Sequence, residues 1–270
     1  MNEMATNSES AMPWVTIVTP SYNQAQFLEE TILSVLKQDY PRLEYIIVDG
    51  GSQDRSVEII QKYAHRLAWW VSEKDRGQVD AINKGFARAK GDIWAWINSD
   101  DTYLPGAISE AVAFFQSNPQ ARFVYGNANL IDEHGNLLGP FPARQTDYRR
   151  LLRGFVHIPQ QATFWRADLW REVGPLKVDY YFAFDYDFWV RAARITPLYY
   201  VNRLWANFRL HSQAKTSLAD RRCYPEMLRT LEQQGGSRFS LLGLKALLRP
   251  AIFSWLPLRV RLWLRRFIPF

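Results

Sequence analysis

Short apolar runs rich in β-forming residues alternate with stretches of helical spacing through the first hundred residues. The strand-like runs occupy residues 14–19, 43–48, 67–71 and 92–97. The helix-like stretches occupy residues 27–38, 57–63 and 79–89. Strands joined through helices run parallel, so this order predicts an α/β fold: a Rossmann-like, mostly parallel central sheet flanked by helices. Ligands of such sheets bind beyond the carboxyl ends of the strands.

Polar residues follow three of the four predicted strands. Strand one ends in TPSYN at 19–23, strand two in Asp49 and a glycine turn, and strand four in NSDD at 98–101. Each group alone is ordinary turn chemistry. Three such groups at one rim of a sheet favour a ligand site. Neither G-x-G-x-x-G nor a P-loop follows the first strand, which removes the main support for dehydrogenase and P-loop functions.

Residues 15–101 resemble the nucleotide-binding half of family-2 glycosyltransferases, which adopt the GT-A fold. The matching segments are VTPSYN at 18–23, SVLKQ at 34–38, VDGGSQD at 48–54, EKDRGQVDAINKG at 73–85, GD at 91–92 and NSDD at 98–101. Residues 157–166 are similar to a subgroup that builds bacterial surface polysaccharides. The resemblance implies inverting, metal-dependent transfer of a sugar from a nucleotide-sugar donor, with UDP favoured, to a saccharide or lipid-linked saccharide acceptor. A Q-x-x-R-W motif is absent, which favours non-processive transfer.

The resemblance also assigns roles to individual residues. Pro20 and Tyr22 would line the nucleotide, and Asp49 would contact the base. The complete donor-binding set is Pro20, Tyr22, Asn23, Asp49, Gly50, Asp75, Gln78, Asp80, Asn83 and Asp100.

A divalent metal, Mn²⁺ or Mg²⁺, is expected near the end of the fourth strand. The adjacent carboxylates Asp100 and Asp101 are the oxygen ligands that hard cations prefer, and His211 lies where some relatives place a metal or diphosphate contact. Asn98 stands where the first Asp of the D-x-D motif usually sits. Arg209 and Lys215 are weaker candidates for the same phosphate.

The catalytic base is predicted in the run FDYD at 184–187. The resemblance favours Asp185, with Asp187 second, and Phe184 replaces the Glu that usually precedes the base. An acidic residue at a helix start is also a common N-cap. That structural interpretation fits either residue.

Charge is unevenly distributed along the chain, whose net charge is +6. No Asp or Glu follows Glu232, and the basic residues beyond it are interleaved with Leu, Trp and Phe. This pattern favours binding of residues 237–270 to an anionic membrane surface rather than to nucleic acid. Packing of these helices on the core or on a second subunit is the alternative. No apolar stretch is long enough to predict a membrane span.

The expected organisation has three parts. Residues 1–13 form a disordered tail, residues 14–215 a GT-A domain, and residues 216–270 a basic amphipathic helical tail. Within the domain, residues 14–101 bind the nucleotide sugar and residues 102–215 supply acceptor binding and catalysis. The single cysteine, Cys223, and the lack of a secretory leader predict a cytoplasmic location, peripheral on the inner face of the cell membrane.

Two other functions fit parts of the sequence. A non-catalytic relative would bind nucleotide sugar without turnover, which the departures at Asn98 and Phe184 permit. A basic nucleic-acid-binding protein is suggested by charge alone, since no recognisable module supports it.

Overall fold

One nine-stranded sheet forms the centre of the protein. The computed structural model describes residues 12–253, and within them all side chains except those of residues 216–221 and 249–253. The strands are β1 Val15–Ser21, β2 Leu43–Asp49, β3 Trp69–Ser72, β4 Ile93–Trp96, β5 Thr102–Tyr103, β6 Phe123–Ile131, β7 Leu137–Pro140, β8 Thr163–Arg166 and β9 Tyr199–Arg209. The helices are α1 Ala25–Leu36, α2 Ser56–Tyr63, α3 Gln78–Phe86, α4 Ala107–Ser117, α5 Tyr148–Leu152, α6 Ala167–Val173, α7 Phe184–Ile195, α8 Lys215–Gln233 and α9 Leu241–Phe253.

The sheet is parallel where the sequence predicts it. β1 pairs in parallel with β2 and β4, and β2 pairs in parallel with β3. The register sets Ser21 opposite Asp49 and Asp49 opposite Ser72. Three strands therefore end side by side at one rim, and the predicted α/β fold class is confirmed.

Beyond β4 the sheet becomes mixed. The strand order is β3-β2-β1-β4-β8-β6-β9-β5, with β7 paired to β6. β8 runs antiparallel to both β4 and β6, whereas β6 and β9 are parallel. β6 and β7 form an antiparallel hairpin. In its turn, the Asp132 carboxylate accepts backbone hydrogen bonds from His134 and Asn136.

Large aromatic side chains fill the core on one face of the sheet. Phe86 of α3 stacks on Trp94 of β4 at a centroid distance of 5.1 Å, and Trp165 of β8 packs against Trp96 at 5.3 Å. Such pairs add directional attraction to the burial of their area. The closely packed layer holds α3 and α7 against the sheet, and the first turns of both helices border the site.

The described part of the predicted tail packs on this core. Tyr224, Met227 and Leu231 of α8 and Leu242 of α9 are buried within the main apolar cluster. Among the helices of residues 12–253, none has both the length and the apolar character needed to cross a bilayer. Residues 1–11 and 254–270, which include most of the predicted disordered tail and the end of the predicted membrane-binding segment 237–270, lie outside the described residues. The boundaries at 13, 101 and 215 stay predictions.

Candidate functional site

A cavity of about 660 Å³ lies beyond the carboxyl ends of β1, β2 and β4. Its wall combines residues that follow these strands with residues from α3, α7 and the start of α8. The predicted site residues in the wall are Pro20, Tyr22, Gly50, Asp75, Gln78, Asp100 and Asp185. Both halves of the chain thus contribute to one site.

Asp49 does not reach the cavity wall. Its side chain is fully buried, and its Oδ2 accepts hydrogen bonds from the backbone of Gly51 and Ser52 and from the Ser72 hydroxyl. These bonds fix the glycine turn that sets Gly50 against the cavity. In this structure the Asp49 carboxylate stabilises the turn. Its contact with a nucleotide base stays a prediction.

Three further predicted donor residues do not line the cavity. Asn23, with φ of 51°, accepts a hydrogen bond from the backbone of Gln53 through its side chain. Asp80 pairs with Arg76 at 3.2 Å. Asn83 hydrogen-bonds the backbone of Leu176 through both side-chain atoms, which ties α3 to the loop before α7. Each has a structural partner in its own neighbourhood.

A glycine is required where β2 ends. A Cβ added at Gly50 would lie 2.8 Å from Oδ2 of Asp75. Asp75 also accepts a hydrogen bond from the backbone of Gly77, which begins the turn into α3. The absence of a side chain at Gly50 therefore brings Asp75 close to the end of β2, within the same wall.

Asp100 and His211 form a pair at the cavity. His211 Nε2 lies 3.0 Å from Asp100 Oδ2, although the two residues are 111 positions apart in the chain. The His211 ring also packs on Phe27, at a centroid distance of 4.8 Å. The sequence predicted both residues as metal ligands, and the fold brings them together.

Asp101 is not available to the cavity. It is fully buried, and its carboxylate accepts hydrogen bonds from the Arg209 backbone and from the side chains of Gln161 and Asn98. Burial, and then the negative charge of Asp100, raise the pKa of Asp101 well above its usual value. Its described contacts tie β4 to β9 and to the turn at 160–162.

The donor atoms of Asp100 and His211 fit a metal shared with a substrate. In the part of the chain that the structure describes, no cluster of three or more His, Cys, Asp or Glu side chains could hold an ion alone. One carboxylate and one imidazole leave most coordination positions to water and phosphate oxygens. Mg²⁺ and similar ions are commonly bound in this shared way at phosphate sites.

Asn98 joins the donor side of the cavity to its opposite wall. Its Oδ1 accepts a hydrogen bond from Gln78 at 2.7 Å, and its Nδ2 donates to Asp101 and Gln160, each at 3.2 Å. An Asp at this position could accept from Gln78 but could not donate to the other two groups. The amide therefore suits its described partners.

Asp185 lies in the first turn of α7 and lines the cavity. Burial and, to a smaller extent, the nearby charge of Glu226 raise the pKa of Asp185 to about 6, although the Tyr186 backbone hydrogen bond and the charge of Lys215 act in the opposite direction. Phe184, which occupies the usual Glu position, is buried and packs on Trp96 at 6.3 Å. Asp185 is therefore the carboxylate that remains of the usual pair. Its raised pKa suits a base that titrates near neutral pH.

Helix α8 holds the segment that leads into Asp185. The Glu226 carboxylate accepts hydrogen bonds from the backbone N–H groups of Tyr181, Phe182 and Ala183, at 2.7–2.8 Å. Ala183 is the N-cap of α7 and has no side chain that can cap the helix. Glu226 thus fixes the N-cap residue and the two residues before it, from 43–45 positions along the chain. No motif in the sequence points to this role of Glu226.

Lys215 contacts the same segment from the cavity side. Its ammonium donates to Gln78 Oε1 and to the carbonyl of Tyr181, each at 3.0 Å, and lies 3.9 Å from the centre of the Tyr181 ring. Burial lowers the pKa of Lys215 to about 8. This cation therefore bridges α3 and the loop before α7, at a point where a ligand's negative charge could reach it.

Two other predicted site residues, Asp187 and Arg209, do not line the cavity. The Asp187 side chain is fully buried between Lys177 and Arg191, each at 2.7 Å, and does not line the cavity. Arg209 is also buried, bonds the Asp100 carbonyl and pairs with Glu30 at 2.5 Å. The charge of each side chain is balanced by these structural partners. Neither charge is therefore offered to the cavity.

A family model and curated relatives match most of the chain. The model described as "Glycosyl transferase family 2" matches residues 16–171. An uncharacterized glycosyltransferase of Mycobacterium tuberculosis is 31% identical over 189 residues, which cover 69% of this chain and 71% of the relative. An uncharacterized glycosyltransferase of Rickettsia conorii is 29% identical over 74% of this chain, which spans only 34% of that longer protein.

Solved structures share the fold at low sequence identity. Staphylococcus aureus TarS 1–349 in complex with UDP-GlcNAc superposes with a TM-score of 0.65 at 18% identity, over 82% of this chain and 66% of TarS 1–349. A mannosyltransferase of Pyrobaculum calidifontis in complex with GDP-Man and Mn²⁺ gives a TM-score of 0.62 at 19% identity, over 96% of this chain and 82% of that protein. These similarities concern the architecture in which the cavity is built.

Proposed function

Because this chain belongs to glycosyl transferase family 2, we propose that its cavity binds a nucleotide-sugar donor and transfers one sugar to an acceptor hydroxyl with inversion. The observation that carries the proposal is the joint presence of Asp100 and Asp185 in one cavity wall. The first is a candidate ligand for a metal on the diphosphate, and the second is a candidate base. Inverting transfer needs these two functions on opposite sides of the sugar.

The donor is proposed to lie along the rim of β1, β2 and β4. Pro20, Tyr22 and Gly50 offer a partly apolar wall for a nucleoside, whereas Asp75 and Gln78 offer hydrogen-bonding groups. TarS and the P. calidifontis mannosyltransferase bind UDP-GlcNAc and GDP-Man respectively. Family resemblance favours a UDP-sugar for this chain.

The acceptor proton is proposed to pass to Asp185. A sugar hydroxyl has a high pKa and must lose its proton as it attacks the anomeric carbon. A carboxylate with a pKa of about 6 is mostly ionised at pH 7 and is a stronger base than an ordinary aspartate. General-base catalysis of this kind contributes roughly 10²–10⁴-fold in rate.

Charge on the departing diphosphate is proposed to be balanced by a metal and by a cationic side chain. Asp100 and His211 would hold a divalent metal, Mn²⁺ or Mg²⁺, which supplies positive charge to the leaving group when bound. The Lys215 ammonium would add a hydrogen-bonding cation to the same phosphates. Asp100 and Lys215 both line the cavity, and His211 adjoins it through its contact with Asp100.

The acceptor is proposed to be a lipid-linked saccharide, reached at the inner face of the cell membrane. The support is the basic and apolar sequence of residues 237–270, which suits an anionic lipid surface. A lipid anchor would present the acceptor hydroxyl at the membrane while the donor enters from solution.

A donor panel tests the proposal. Release of nucleoside diphosphate would be measured with UDP-, GDP- and dTDP-sugars, with Mn²⁺ or Mg²⁺, and with a membrane extract as the source of acceptor. We expect release with one donor, dependent on both metal and extract. Donor binding without release from any mixture would favour the non-catalytic relative. A chain that binds no nucleotide sugar would contradict the proposal.

A further inference from the structure

A cluster of basic side chains surrounds helix α5, outside the cavity. Four arginines between residues 144 and 153 are exposed. None of their guanidinium groups forms an ion pair with a carboxylate of the described residues. The four are Arg144, Arg149, Arg150 and Arg153. Elsewhere several exposed arginines, including Arg55 and Arg229, pair with acidic neighbours.

Helix α9 packs directly beside this cluster. A Cβ added at Gly154 would lie 2.7 Å from Cδ1 of Leu242, and the Lys245 ammonium bonds the Gly154 carbonyl at 3.3 Å. Lys245 and Arg150 lie 3.5 and 5.9 Å from the centre of the same Phe155 ring. One basic residue of α9 therefore joins the arginines of α5.

The buried imidazole of His157 reports the positive potential of this region. Burial lowers the pKa of His157, and the positive charges of Arg144, Arg150 and Lys245 lower it further. The three cations come from the loop before α5, from α5 itself and from α9. Their combined field is therefore a property of the folded surface rather than of one sequence segment.

The outer side of α9 is apolar and exposed. Leu241, Leu244, Leu247 and Leu248 are 42–74% exposed. An α-helix turns about 100° per residue, so these leucines occupy an arc of about 120° around the axis of α9. Lys245 lies about 40° outside this arc. Leu242, on the side next to Lys245, is buried. The leucine row therefore borders the basic cluster and forms one surface with it.

We propose that this surface, made of the four exposed arginines at 144–153, Lys245 and the exposed leucines of α9, docks on a lipid bilayer with anionic headgroups. Guanidinium groups bind phosphate oxygens in a bidentate manner, which suits unpaired arginines at a lipid surface. Exposed leucines beside them suit the boundary between headgroups and acyl chains. The two chemistries occur side by side on this surface, as an anionic bilayer requires.

Docking through this surface would also orient the cavity. Val156 directly follows Phe155 and lines the cavity wall, as does Ile158. The docked surface and the cavity thus share one continuous chain segment. This consequence rests on the proposed lipid-linked acceptor, whereas membrane binding itself does not.

Vesicle co-sedimentation of the full chain tests the inference without any activity assay. Vesicles of phosphatidylcholine alone and of phosphatidylcholine with phosphatidylglycerol would be compared at increasing salt. We expect binding to the anionic vesicles only, weakened by salt. Arg149→Glu/Arg153→Glu should lower the affinity on the order of tenfold or more. Leu244→Ser/Leu247→Ser should lower binding as well.

Matched variants control for net charge and for surface hydrophobicity. Arg55→Glu/Arg203→Glu makes the same charge change at exposed residues elsewhere, and Leu137→Ser/Leu138→Ser removes two exposed leucines of β7. Both should bind like the unmodified chain, and thermal unfolding should confirm that all variants are folded.

Three results would overturn the inference: equal binding to neutral vesicles, unchanged binding by the arginine variant, and unchanged binding by the leucine variant. The last would mean that the leucines are covered by another segment or by a second copy, which sedimentation equilibrium would distinguish. Vesicle binding without transferase activity would instead contradict only the proposed function.

Discussion

Two titratable side chains of opposite charge face the cavity, and burial shifts both towards neutral pH. The pKa of Asp185 rises to about 6, whereas that of Lys215 falls to about 8. A base must be ionised to accept a proton, and a phosphate-binding lysine must be protonated. The active form of the free enzyme therefore exists between these two values.

The dependence of kcat/KM on pH should accordingly be bell-shaped. We expect activity to fall about tenfold per unit below pH 6, as Asp185 gains a proton, and to fall above pH 8, as Lys215 loses one. Lys215→Arg should move the alkaline limb upwards, because guanidinium stays charged. A profile that is flat from pH 5 to 7 would contradict the role of Asp185.

Asp187 provides the contrasting residue, only two positions away. Its carboxylate is matched by Lys177 and Arg191 behind the wall. Asp187→Asn should therefore lower the free energy of unfolding by about 3 kcal/mol, because two cations lose their counter-charge. Denaturant unfolding would measure the loss. Unchanged stability with abolished turnover would instead make Asp187 the catalytic carboxylate.

At the scale of elements, the position of α7 depends on a residue of α8. Three backbone N–H groups before α7 donate to the Glu226 carboxylate. Glu226→Ala leaves these donors without their acceptor and should cost about 2 kcal/mol in stability. We also expect faster amide exchange at residues 181–183 and a lower kcat.

Glu232→Ala is the matched control, because Glu232 lies on the same helix and pairs with the exposed Arg238. It should leave amide exchange at residues 181–183 unchanged. Equal exchange in the Glu226 and Glu232 variants would show that the α7 start is held by its other contacts.

The elements that the sequence predicts well are those whose apolar pattern is local. β1, β2, α1 and α3 begin and end within three residues of the predicted segments, because the apolar spacing of each is contained in a short stretch of sequence. The sequence places α8 in the predicted helical tail, because its polar sequence carries no local sign of long-range contacts. Its buried residues and Glu226 act on partners more than 40 positions away.

At the scale of the molecule, the site is made by bringing distant segments together. Asp100, Asp185 and His211 could be named from motifs, and the sheet brings Asp100 next to His211. The sequence could not separate wall residues from those behind the wall. Asp101 and Asp187 are of a residue type that is common in functional sites. Strand register and helix phase nevertheless place both side chains in the interior.

The most direct test of the central claim separates donor binding from turnover at this cavity. Calorimetric titration with the accepted nucleotide sugar and metal would be combined with single-turnover assays for three chains: unmodified, Asp100→Ala and Asp185→Asn. We predict that Asp185→Asn binds the donor like the unmodified chain but loses roughly 10²–10⁴-fold in rate, whereas Asp100→Ala loses the metal-dependent part of donor binding. Full turnover by Asp185→Asn, or metal-dependent binding unchanged in Asp100→Ala, would contradict the account.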